Sequence, residues 1–108
     1  MSELRTYERV GFLCHLELVV LPDGVPQPAS SLDLSMGGVG VITQAGFSVG
    51  QLVAVTFFLK GPDEAKVRVT GRVARLAAGG DANVLGVQFL SPLTEAEFPR
   101  LVGKLLSL

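Results

Sequence analysis

Two arginines, Arg5 and Arg9, stand four apart in the stretch RTYER. Guanidiniums are planar, permanently charged forks that fit phosphate oxygens, and their flat faces stack on nucleobases. Some two dozen residues later, DLSMGG sets Asp33 and Ser35 beside the glycine pair Gly37–Gly38. The carboxylate and hydroxyl can exchange hydrogen bonds with a ligand, and the glycines permit positive φ and close backbone approach. Successive amides in such a turn also form a nest for an anion. Each stretch has a plainer reading by itself. The first is a solvated lead-in, with Glu3 and Glu8 among the arginines, and the second is a tight turn ahead of a strand.

The other reactive groups offer less. His15 is the sole histidine and Cys14 the sole cysteine, so the chain has neither an internal disulfide nor a zinc-binding cysteine pair. Ser35, His15 and Asp33 make a hydrolase triad in composition only. Ser35 lacks the Gly-x-Ser-x-Gly elbow, and Asp33 lies two residues from it on the same turn. There is no metal-ligand spacing and no Gly-x-x-x-x-Gly-Lys phosphate loop. Neither catalysis nor a cofactor is expected. Cys14 falls among apolar positions and reads as a small buried hydrophobe, while His15 reads as a surface side chain.

The elements that must hold these residues are mostly strands. In VGFLCHLELVV, Val10, Phe12, Cys14, Leu16 and Leu18 share one parity, with His15 and Glu17 on the other. That period of two predicts one strand with a buried face. LPDGVP is a turn, and strands are predicted over Pro28–Leu34 and Val39–Thr43. After AGFSVGQ comes the β-prone run LVAVTFFL. KGPDEA reads as a hairpin loop, and KVRVTGRVARL alternates again, with Val67, Val69 and Val73 inward and Lys66, Arg68, Thr70 and Arg72 outward. AAGGDAN is a further turn before the strand VLGVQFL. Thr94 and Glu97 have capping-box spacing, followed by a helix of about two turns from Pro99 at its first position. Its apolar stripe is Phe98, Leu101, Val102, Leu105 and Leu106.

The expected fold is all-β, a small six-stranded antiparallel barrel with a short C-terminal α-helix. The 108 residues suit a single domain. Residues 1–9 form a flexible arginine-bearing segment, 10–90 the barrel and 94–108 the C-terminal helical element. An apolar fraction of 48% places the chain among globular proteins, and a net charge of −1 argues against a duplex-DNA binder that works through phosphates. The charged N-terminus carries no signal peptide, and no apolar run is long enough to span a membrane. A cytoplasmic protein is expected, with no membrane insertion.

Arg-x-x-x-Arg (Arg5, Arg9) followed by Asp-x-Ser-x-x-Gly (Asp33, Ser35, Gly38) in a small barrel resembles the PilZ domain family. GRVARL and LGVQF are similar to its later strands, so the likeness covers almost the whole chain. The resemblance implies a bacterial, non-enzymatic receptor for the second messenger cyclic di-GMP. By that analogy the Arg5–Arg9 segment closes over the ligand, its guanidiniums meeting phosphates and guanine. Asp33 and Ser35 bond the guanine edge or a phosphate, and Gly38 gives the turn room. Leu4 stands where many members carry a further arginine, which implies one ligand per chain rather than a stacked pair unless Arg68 or Arg72 reaches the site. A downstream protein partner is also implied. The alternative is a PilZ-like interaction module that binds no nucleotide, although such proteins commonly lose motif residues that this chain keeps. A barrel for single-stranded nucleic acid would need exposed aromatics on a basic face, and the six Phe and one Tyr fall mostly at apolar parity.

Overall fold

The alternating stretches become seven strands and one helix in a computed structural model that describes residues 8–60 and 65–107. The strands are β1 (Val10–Gly11), β2 (His15–Val20), β3 (Gln27–Leu34), β4 (Gly38–Thr43), β5 (Leu52–Leu59), β6 (Ala65–Gly79) and β7 (Ala82–Phe89), followed by α1 (Pro99–Ser107). All pairings are antiparallel. Around the sheet the order is β3–β2–β5–β6–β7–β4, and β4 pairs back onto β3, closing a six-stranded barrel.

The first predicted strand is correct in parity but is broken in the middle. Both β1 and β2 run along β3, with Val10 opposite Leu34 and His15 opposite Ser30, and the register shifts by one residue between them. Within the break the Ser31 hydroxyl donates to the Phe12 carbonyl, and the Ser31 amide donates to the Cys14 carbonyl at 2.9 Å. Side-chain bonding there replaces part of the regular ladder.

Inward-facing Leu16, Leu18, Val39, Val41, Val55, Phe57, Leu85 and Val87 are all at most 1% exposed and fill the barrel. Each such side chain contributes roughly 1.5–3 kcal/mol through burial. The helix begins as its sequence predicts. The Glu97 amide donates to Thr94 Oγ1 at 3.2 Å, and the Phe98 amide closes the preceding turn on the Thr94 carbonyl at 2.8 Å. Leu101 and Val102 enter the core, with Phe98 and Leu105 packed against it. Leu106, expected on the same stripe, is instead 75% exposed, because the final turn runs past the core.

Two bulges decide which side chains face outward. On β3, Ala29 and Ser31 point inward, and strict alternation would send Asp33 after them. An extra residue between Ser31 and Asp33 against β4 reverses the parity, so Leu32 and Asp33 face out and Leu34 turns in. On β6, Val69, Gly71 and Val73 point inward, and a second bulge at Ala74 turns Arg75 outward in the same way.

Candidate functional site

Those bulges place Asp33 and Arg75 at opposite ends of one cross-strand row. Asp33 of β3 stands opposite Gly40 of β4, Gly40 opposite Gly86 of β7, and Gly86 opposite Arg75 of β6. At about 4.8 Å between strands, the row spans about 14 Å. Its two middle positions have no side chains, and the charged ends fold down over them. A Cβ at Gly86 would lie 2.8 Å from Arg75 Nε, and one at Gly40 would collide with the Asp33 carboxylate. The result is a strip of bare backbone with a carboxylate over one half and a guanidinium over the other.

Arg9 joins the carboxylate end. β1 pairs Gly11 with Asp33, which brings Arg9, two residues upstream, within reach. Arg9 Nη1 donates to Asp33 Oδ1 at 2.7 Å, and the Gly40 amide donates to the same oxygen at 3.0 Å. Arg9 and Arg75 line one 280 Å³ cleft, together with Ser35, Gly37, Gly38, Ala74, Gly86, Val87 and Gln88. Arg5 lies outside the described residues.

Ser35 has a shaping task. It is buried, and its Oγ accepts the amides of Gly37 at 3.2 Å and Gly38 at 3.1 Å, while its own amide donates to the Gly38 carbonyl at 2.9 Å. The turn is thereby locked. Gly37–Gly38 permit positive φ, but among the described glycines it occurs at Gly50 and Gly80. Gly38 is required for a different reason: a Cβ there would strike the Val87 carbonyl, so only glycine lets β4 lie this close to β7.

Neither Arg68 nor Arg72 is among the cleft residues. Arg72 Nη1 donates to the Gly50 carbonyl at 2.8 Å, and Arg68 stands opposite Thr56 on the β5 side. His15 is exposed and stacks on Phe58 with ring centroids 5.3 Å apart. Cys14 is buried with its thiol directed at the His15 and Phe58 carbonyls, and burial pushes that thiol above the usual cysteine range. A raised value keeps it protonated and poorly nucleophilic. Among the described residues, no three His, Cys, Asp or Glu side chains gather as metal ligands, and no helix is long and apolar enough to cross a membrane.

Arg75, Gly40 and Gly86 were missed by motif spacing. One signal for Arg75 was present: it stands at the inward parity of β6, where an unpaired charge could not be buried, so the strand had to bulge or end there.

The family model described as the PilZ domain matches residues 3–106. The chain belongs to the PilZ domain family. Among solved structures, the PilZ domain of Escherichia coli YcgR with c-di-GMP has a TM-score of 0.70 at 18% identity, over 94% of this chain and 90% of that one. The PilZ domain of CeSA from a cellulose-synthesizing bacterium has a TM-score of 0.64 at 23% identity, over 92% and 98%. The Bacillus subtilis inhibitor of motility MotI/DgrA has a TM-score of 0.70 at 14% identity, over 95% of this chain but 52% of its own, so this chain spans about half of that protein. At these identities the likeness is one of fold. No curated protein matches the sequence. The bulge-presented row is therefore carried on a PilZ barrel.

Proposed function

We propose that this PilZ domain is a non-enzymatic receptor for cyclic di-GMP, acting in the bacterial cytoplasm. The row Asp33–Gly40–Gly86–Arg75, with Arg9 at its acidic end, is the observation that carries the reading. Such a ligand combines two phosphate charges with two flat guanines. Guanine O6 and N7 accept from arginine forks, and its Watson–Crick edge donates to a carboxylate. The side-chain-free strip lets Asp33 and Arg75 lie flat on the barrel surface, where Asp33 accepts from the base edge and Arg9 and Arg75 supply cationic forks. Ser35 and Gly38 shape the turn beneath, and Arg5 adds a guanidinium from the N-terminal side. The family membership and the YcgR structure with c-di-GMP support the choice of ligand.

Arg9 Nη1 lies 2.7 Å from Asp33 Oδ1 and holds the carboxylate in place. Binding then exchanges one partly exposed ion pair for charge-assisted bonds to phosphate and base. A partner protein would read the resulting rearrangement of the Arg9 segment.

Isothermal titration calorimetry with cyclic di-GMP tests the proposal, with saturable binding expected at micromolar protein. A flat titration at high micromolar concentration overturns it and favours an interaction module without nucleotide. One observation fits that second reading: Leu32, next to Asp33 on β3, is 44% exposed, and Leu13 is 85% exposed.

A further inference from the structure

We propose that the outer edge of β6 from Ala74 to Gly79 is a self-association surface, along which two copies of this chain pair antiparallel about a two-fold axis. At Gly71 and Arg72 β6 is paired on both sides, to β5 and to β7, and before them its register is with β5. Val73 still exchanges bonds on the β5 side: its amide donates to the Gln51 carbonyl at 2.9 Å, and the Gly50 amide donates to its carbonyl at 2.7 Å. Beyond it, pairing continues with β7 alone, from Arg75 opposite Gly86 to Gly79 opposite Ala82. Among the described residues, no strand pairs with the other side, and every residue from Ala74 to Gly79 is exposed. Alternate residues therefore aim N–H and C=O groups at solvent along roughly 20 Å of strand.

Protein edges are ordinarily blunted by lysine, proline or an inward charge, and ARLAAG has none of these. Its one charged residue, Arg75, reaches across β7 and lies over Gly86, away from the open side. The bulge at Ala74 protects only the start of the edge.

A second copy is the occupant that fits this edge. An antiparallel edge is self-complementary under a two-fold, each donor on one copy meeting an acceptor on the other. With the axis through Ala77, Leu76 falls opposite Ala78 and Arg75 opposite Gly79 of the other copy, so residues of the same parity meet and like charges do not face each other. Ala77, Ala78 and Gly79 put nothing bulky between the two ribbons, and a net charge of −1 gives little long-range repulsion. Pairing over so short a segment buries less than the ~1,200 Å² of standard stable complexes, so the dimer is weak and concentration-dependent.

Sedimentation equilibrium of the nucleotide-free chain, from ~10 μM to ~1 mM, should show the mass rising from one chain towards two, the range where a weak dimer populates. Hydrogen exchange at the two ends of that range should show extra protection within residues 74–79 at the higher concentration. Ala77→Lys, which charges the edge strand, should stay monomeric with an unchanged melt. Val84→Lys, on the partner strand of the same hairpin, should still dimerise. The proposal is overturned by a monomer at the highest concentration, by a dimer that persists in folded Ala77→Lys, or by a dimer lost in folded Val84→Lys. Absence of concentration-dependent protection at residues 74–79 in the wild type overturns it as well, and that measurement decides even if Ala77→Lys fails to fold.

Discussion

Arg9 and Asp33 meet at 2.7 Å with their side chains still 42% and 35% exposed. A pair so open to solvent contributes only about 0–1 kcal/mol to the fold, so Arg9 is free to serve a ligand without being needed for stability. Arg9→Ala is therefore expected to leave the thermal midpoint nearly unchanged. Losing a charge-assisted bond, about 1.5–3 kcal/mol, should weaken cyclic di-GMP binding roughly 10–150-fold by calorimetry. Arg72→Ala is the matched control. Its guanidinium is engaged with the Gly50 carbonyl, and affinity should stay within about twofold of wild type. The glycines separate in the same manner. A Cβ at Gly86 meets the movable end of Arg75, whereas a Cβ at Gly38 meets the Val87 backbone. Gly86→Ala should lower affinity with little change in melting, while Gly38→Ala should cost about 1–3 kcal/mol of stability through overpacking. Paired melts and titrations distinguish the two outcomes.

Among the elements, the smallest has a large consequence. β1 contributes two residues, yet its pairing with Leu34 and Asp33 sets where Arg9 lies. The bulges in β3 and β6 act similarly, each using one extra residue to reverse the facing of everything beyond it. α1 has a different task. Leu101 is fully buried, and Lys104 lines a cavity with Phe12, Cys14, Leu59 and Lys60, so the helix lies against the barrel end where β5 finishes. Leu101→Ala should destabilise the domain by about 2–5 kcal/mol in urea unfolding, because it removes apolar atoms and leaves a cavity. The cleft is lined from other elements, so affinity measured well below the midpoint should be retained.

For the molecule as a whole, the positive charge at the cleft is limited to Arg9 and Arg75 among its lining residues, with Arg5 outside the described residues. A stacked ligand pair would bring four phosphate charges to that cleft, against a chain of net charge −1. One cyclic di-GMP per chain is the expected stoichiometry, read from the calorimetric inflection. Two ligands per chain would show that a leucine at position 4 does not set the number, and Leu4→Arg should move the complex towards two.

The strands, the helix cap and the barrel were legible in the chain, because period-two alternation and turn residues are local properties that survive folding. Val39–Thr43 and Leu52–Leu59 needed only their own residue types to be read as strands. Arg9, Asp33, Ser35 and Gly38 could be named as candidates because two short motifs, taken together in order, resemble those of a known family. The facing of Asp33 could not be read, nor could the place of Arg75 at the other end of the same cross-strand row, forty-two positions away. Both depend on where one strand gains a residue against another, and register is a relation between strands rather than a property of either. The division of work among the glycines was hidden for the same reason. Gly38 makes room for the Val87 carbonyl, while Gly40 and Gly86 lie beneath Asp33 and Arg75, and a glycine's purpose is defined by what approaches it once the barrel has closed.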